Sequence, residues 1–528
     1  MPLANSLIIN NRGSLAALGF LALLAGGALA ALGVQALRTP ASFSAAFDVY
    51  FLRIAGFTFW QAALSTVLSI IPAIFVARAL HRHPSFFGRA IVIRLMALPL
   101  ALPALIAALG LLALFGRASL LAPVLTSALG ERWPGIYGLG GILVAHVFFN
   151  MPLAARLFLV ALDTVPQAHF RLAAQLGFKP IARFRLLEWP AIKTASSGIA
   201  LMVFMLCATS FTLVLTLGGG PKATTIEVAI YQALRFDYAP ERAVAFALVQ
   251  MVFALGLAWI ASRFIVAEPL RNADISPTKL MAPHQIETLF NGIIISFAVL
   301  FIIMPMLAIL ARGLQVDLMK LVTQKSVMDA TVTSLILAIL ASITASFLAV
   351  ALLCARSTKI LAFAARGGGV LLSVSPIIIG AGWFIALQGL INPLKAGPVL
   401  IVAVNAFMAL PFVLRALAPA WAASRARHDR LAMSLGLNGW TRFKLVESIA
   451  LRGPLTAGLA FAAALSLGDL GVVALFGSDT LQTLPSLLFA RLGSYRSDDA
   501  AGLALLLMIL CLSILWCADF LTRQDLRP

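Results

Sequence analysis

The residues in this 528-residue chain whose types and spacing could do chemistry are few, and none of them forms a reactive constellation. There is no GxxxxGK[ST] phosphate cradle, no HExxH metal helix and no pair of carboxylates at acid–base spacing. LGGGPK at 217–222 resembles a phosphate loop in composition, but Pro221 follows its glycines and no helix opens from it in the required way. A turn at a helix exit is the expected reading. Cys207, Cys354, Cys511 and Cys517 all fall inside apolar stretches, with no CxxC pair and no metal-ligand spacing, so they read as packing residues. No cofactor is implied. What remains is a polar, basic segment that occurs twice: HFRLAAQLGFKPIARFRLLEWP from residue 169 and HDRLAMSLGLNGWTRFKLVESI from residue 428.

The chemistry this segment offers is docking. Each copy holds a short helical run broken by glycine, Gly177 or Gly436, which suits a left-handed helix C-terminus. A second basic amphipathic run follows. Leu172, Leu176 and Phe178 are expected to form one small apolar knob, and Leu431, Leu435 and Leu437 its counterpart, on two short helices lying across the membrane face. An interfacial loop held by arginine–phosphate contacts is the alternative. Two copies in strict register favour a partner-docking element in each.

Stepping outward, the register is constant at 259 residues over a long stretch. AHVFFNMPLAARLF (145–158) returns as VNAFMALPFVLRAL (404–417), pairing Pro152 with Pro411, Gly177 with Gly436, Glu188 with Glu447 and Gly218 with Gly477. Shared apolar bias cannot hold such a register, so the chain reads as two copies of one unit. Earlier segments align at other offsets, Ala77-Arg78 with Ala355-Arg356 and Pro103 with Pro376, so outer loops changed length while the docking segment did not.

The elements that must carry these loops are membrane helices. The chain is 61% hydrophobic and 11% charged, against about 25% charged for soluble domains. Apolar runs of spanning length are expected near 14–36, 58–80, 93–115, 138–162, 194–217 and 244–266. The second copy has them near 289–312, 331–354, 368–390, 398–420, 455–476 and 500–521. The fold class expected is an all-α polytopic membrane protein of twelve transmembrane helices in two parallel six-helix repeats, 1–266 and 289–528, joined by a linker at 267–288. The run after Arg12 could be taken for a secretory signal, but it is too long for one. The net charge of +19 is a topology signal, because Lys and Arg concentrate on alternate loops. That places both termini in the cytoplasm and argues against nucleic-acid binding.

Asp469 is the acidic residue expected well inside a span, and an intramembrane carboxylate is costly enough to mark a pathway. Gly468 and Gly471 flank it, so it could instead cap a broken helix. Phe148, Asn150, Asn405 and Phe407 are further pathway candidates, although an aromatic stripe more often packs a bundle. Arg156 and Arg415 are expected to snorkel to the headgroups.

The Ala173-xxx-Gly177…Leu187-x-Trp189-Pro190 pattern resembles the EAA loop of ABC-importer membrane subunits. Arg171 and Arg430 stand where that family has its leading Glu; Ala173 and Ala432 keep the second Ala, and Ile449 replaces the terminal Pro in the second copy. Over the whole chain the sequence is most similar to fused-permease subunits of thiamine ABC importers, through FWQAALSTVLSIIPAIFVARALHR (59–82), LGGGPKATTIEVAIYQAL (217–234), SLGDLGVVALF (466–476) and LGSYRSDDA (492–500). Fused ferric-iron permeases share the two-copy plan. The resemblance implies an inner-membrane subunit with no nucleotide site of its own, a cytoplasmic ABC ATPase dimer seated on the two loops, and a periplasmic substrate-binding protein. Thiamine and its phosphate esters would be the cargo. An ion-coupled secondary transporter and a non-transporting scaffold are the competing classes.

Overall fold

The computed structural model describes residues 3–117, 119, 121–129, 133–264, 285–355, 358–365, 374–437, 439–478, 481–494 and 496–524. Among these the secondary structure is helical, apart from one isolated bridge between Ser478 and Leu481. Backbone groups in lipid have no water to bond, and helices satisfy them internally. The main helices are α1 (Leu3–Arg38), α2 (Val49–Arg82), α3 (Ala104–Phe115), α4 (Leu139–Asp163) and α5 (Gln167–Gln175). They continue with α6 (Trp189–Ala208), α7 (Thr212–Leu217), α8 (Ile226–Arg235) and α9 (Pro240–Phe264). Beyond the undescribed stretch come α10 (Gln285–Gly313), α11 (Lys325–Leu353), α12 (Pro376–Leu387), α13 (Gly397–Ser434) and α14 (Ser448–Leu467). The last are α15 (Gly471–Phe476), α16 (Leu484–Gly493) and α17 (Ser497–Gln524).

Ten described helices are long and apolar enough to cross a membrane, or eleven if one bent pair counts as a single span. The expected spans near 93–115 and 368–390 are not straight crossings. The run near 93–115 bends by 106° between Arg89–Leu100 and Ala104–Phe115, because Pro103 has no N–H to continue the ladder and forces its predecessor into extended backbone. Of the run near 368–390, residues 368–373 lie outside the described residues, and the helix observed is the 12-residue α12, opening at Pro376 with Ser375 as its cap. Most of the expected linker, 267–284, also lies outside the described residues, and α10 begins at Gln285 inside its expected end.

Several elements recur at the register read from sequence: π-helical turns at Phe184–Glu188 and Phe443–Glu447, then α6 and α14, then α7 and α15. The runs near 194–217 and 455–476 are accordingly each interrupted, at 209–211 and 468–470. Short helices α8 and α16 are fixed alike, since the first N–H of each has no helical acceptor. Ile226 donates to the Thr58 hydroxyl at 3.0 Å and Leu484 to the Ser334 hydroxyl at 2.8 Å.

Helix α1 packs along α11 and α12, far away in sequence, while α10 packs back against α2 and α3. Glycines permit both crossings. A Cβ on Gly382 would lie 2.4 Å from the Ala28 carbonyl oxygen, and one on Gly110 would lie 2.6 Å from that of Pro305. The largest core therefore joins α1, α8, α9, α11, α12 and α13, and a second joins α2, α4, α6 and α10.

Candidate functional site: paired docking loops

The first loop begins where Pro166 ends α4's direction and starts α5, which carries Arg171, Leu172 and Ala173. The second differs from the expectation of a separate short helix. Arg430, Leu431 and Ala432 sit on the last turns of the 38-residue α13, which runs unbroken to Ser434. The physical reason is in the register: Pro166 is matched by Arg425, which keeps its N–H and lets the helix continue.

Both helices then end the same way. Gly177 and Gly436 each have φ +66°. Phe178 N–H donates to the Ala173 carbonyl and Leu437 N–H to the Ala432 carbonyl, both at 2.9 Å. Gly177 and Gly436 donate one residue further on, to Ala174 and Met433. This is the Schellman arrangement, and it requires a left-handed residue at the glycine position. It turns the chain sharply while Ala173 and Ala432 stay buried against the body. Leu172 and Leu176 remain 53% and 63% exposed, and Leu431 and Leu435 58% and 64%. Phe178 is exposed, Leu437 is partly covered, and Arg171 and Arg430 face outward. The apolar knobs expected from sequence are thus present on both loops, each bordered by arginine.

Each loop is held from behind by buried charge. A π-turn adds a residue and re-aims the side chains after it. Glu188 and Glu447, which close the two π-turns, are both buried. Pro190 follows the first turn, but Ile449 stands at the matching place in the second, so proline is not required for it. Glu188, 1% exposed, accepts from Arg78 Nε and Arg82 Nη2, each at 2.8 Å. The Arg78 guanidinium also lies 4.1 Å from the Phe184 ring centre, a cation–π contact. Arg183 and Arg82 both reach Glu287 at the start of α10, the former at 3.1 Å. In the second loop Arg442 Nε donates to Glu447 at 2.6 Å and the same guanidinium bonds Asp429; Arg356, paired with Arg78 by the earlier alignment, lies outside the described residues. Nearby, burial and the adjacent Arg82 push the His83 imidazole below its usual value, so a neutral ring is available to accept from Asn291 Nδ2 at 3.2 Å.

The pathway candidates are placed differently. Phe148 and Phe407 are fully buried, Phe148 against Phe149 and Phe301. Asn150 donates to Cys207 Sγ at 3.3 Å, and Asn405 to the Ser466 hydroxyl at 2.9 Å. Asp469 occupies the break between α14 and α15, where one carboxylate oxygen accepts from Gly471 N–H at 3.0 Å. Its capping role, left open by the flanking glycines, is therefore present.

Sequence reasoning did not single out the carboxylate–arginine clusters as functional, although the register had already paired Glu188 with Glu447. A third buried acid was also missed. Glu227, at the start of α8, accepts from the Ser375 hydroxyl at 2.8 Å and from Gln250; it lies between expected spans, where hydropathy gives no reason to look.

This fold, with ten or more helices long and apolar enough to span a bilayer and two exposed loops at one register, defines a polytopic membrane protein. Comparison with known proteins agrees. The chain is 47% identical to the thiamine transport system permease protein of Brucella abortus over 510 residues, covering 95% of this chain and 94% of that one. It is 40% identical to the protein of that name from Escherichia coli, over 91% of each chain. With the Haemophilus influenzae protein it shares 39%, over 94% of each. No family model matches. The chain belongs to the thiamine transport system permease family, and is a multi-pass inner-membrane transport subunit, not an enzyme.

Proposed function

We propose that this chain is the membrane-spanning subunit of an ATP-driven importer that carries thiamine and its phosphate esters from a periplasmic binding protein to the cytoplasm. The single observation carrying the cargo is the 39–47% identity to thiamine permeases over nearly the whole chain. Those relatives give the ferric-iron alternative no support. In this reading residues 1–266 and 289–528 are two pseudo-equivalent units of six spans each, with both termini cytoplasmic and 267–288 as connector. The knobs built on Arg171, Leu172, Ala173, Gly177 and Phe178, and on Arg430, Leu431, Ala432, Gly436 and Leu437, seat in the two subunits of an ABC ATPase dimer. Supporting this, both knobs expose leucines on a sharply fixed turn backed by buried ion pairs, which suits an element that must transmit force without bending. ATP-driven closure of the ATPases displaces the loops and tilts the two units between inward and outward openings. Asp469, with Phe148, Asn150, Asn405 and Phe407 in the surrounding bundle, lines or shapes the passage, its carboxylate favouring a cationic cargo.

The test is reconstitution of the permease with its ATPase and binding protein in proteoliposomes. Uptake of labelled thiamine that needs internal ATP, with no requirement for a proton gradient, is expected. Uptake driven by a proton gradient without ATPase would assign the chain to secondary transport instead.

A further inference from the structure

We propose that Glu287 is a positioning residue for transport, transmitting movement of the first docking loop directly into α10 and hence into the second portion of the chain. This rests on the reading of the loops as ATPase docks.

Helix α10 belongs in sequence to the portion after residue 285, yet its opening turns are fastened to the portion before residue 264 at successive levels. Glu287, with a side chain only 15% exposed, bonds both Arg82 at the end of α2 and Arg183 on the loop. One turn later Asn291 meets His83. Deeper still, Ile295, Ala298 and Ile302 pack in one core with Ala73 and Val76 of α2 and Leu159 of α4. Arg82 also holds Glu188, the buried end of the π-turn, so loop, α2 and α10 share one chain of charge. Three guanidiniums, Arg78, Arg82 and Arg183, face two carboxylates, Glu188 and Glu287. Breaking a buried ion pair by neutralising one member leaves the other charges uncompensated, so Glu287 cannot be neutralised without loosening the link. The described bonds of Arg442 in the second loop stay within residues 429–447, between the end of α13 and the second π-turn. A push on the first loop therefore reaches both portions of the chain at once, through side chains.

Glu287→Gln keeps shape and acceptor oxygen but removes the charge. In proteoliposomes with ATPase and binding protein, thiamine imported per ATP hydrolysed is expected to fall about fivefold or more, while the ATPase dimer still co-purifies. Glu287→Asp restores part of the ratio, and Asn291→Ala lowers it less; these two carry the test if the glutamine variant does not fold. An unchanged ratio in all three overturns the proposal, as does loss of ATPase association in Glu287→Gln, since Glu287 would then shape the dock and not transmit its motion. Failure of the docking reading itself has a separate signature: alanine at both Gly177 and Gly436 would leave ATPase binding and uptake intact.

Discussion

The clearest quantitative prediction concerns the two glycines that end α5 and α13. Both hold φ +66°, and a Cβ built on either meets nothing within 4 Å. A substitution there creates no clash, so its cost is conformational alone. Left-handed backbone costs an L-residue about 1–2 kcal/mol, and less for Asn, whose short side chain bonds locally. If ATPase binding needs this turn, Gly177→Ala weakens it by up to a factor of about 5–30. Gly436→Ala does the same, and Asn at either site costs clearly less. The glycines belong to separate loops, 259 residues apart in the chain, so the two penalties are expected to add in free energy and multiply in affinity. The assay is titration of the purified permease in nanodiscs with its ATPase, alongside uptake in proteoliposomes. Alanine and asparagine variants of equal affinity would refute the reasoning, because asparagine adopts left-handed backbone more readily than alanine. A double variant no weaker than either single one would refute it too, by showing that only one loop is engaged.

Further outcomes test the architecture. Glu188→Ala removes the carboxylate partner of Arg78 and one of the two carboxylates on Arg82, beside a vacated buried site, and is expected to cost about 3–5 kcal/mol; thermal unfolding in detergent should show a large drop, and a smaller one for Glu188→Gln. Gly110→Ala and Gly382→Ala place a methyl group against backbone carbonyls that cannot rotate away, with an expected cost of about 1–3 kcal/mol each. Gly33→Ala, with open space around it, is expected to be neutral or slightly stabilising in the same measurement.

The sequence made the membrane class and the paired loops legible for different reasons. Spanning length is a local property, so most apolar runs correspond to helices. The loops showed through repetition: the same π-turns, the same capping glycines and the same break before α7 and α15 lie at the register that the letters already kept. Direction is less visible than length. Hydropathy placed 93–115 as one span, yet Pro103 folds it sharply, and it did not separate the continuous α13 from the interrupted α4–α5, a difference that turns on Pro166 against Arg425. The ion cluster stayed hidden because its members are distant in the chain. Arg78 and Glu188 are 110 residues apart, and nothing in one sequence says which basic side chain on which helix end meets which acid. Glu227 and Ser375, 148 residues apart, were hidden in the same way.

The exchange of first helices bears on how the molecule is made. Trp383 on α12 donates its indole N–H to the Leu24 carbonyl on α1 at 2.9 Å, across 359 residues, and Gly382 accepts Ala28 at a spacing no side chain would allow. During synthesis α1 leaves the ribosome long before α12 exists, so it must wait in the bilayer with its final neighbour absent. Contacts of such sequence separation form late and slowly. The stretches before residue 264 and after residue 285 therefore do not mature one after the other: α2 and α3 await α10, and α12 closes on a helix made long before it.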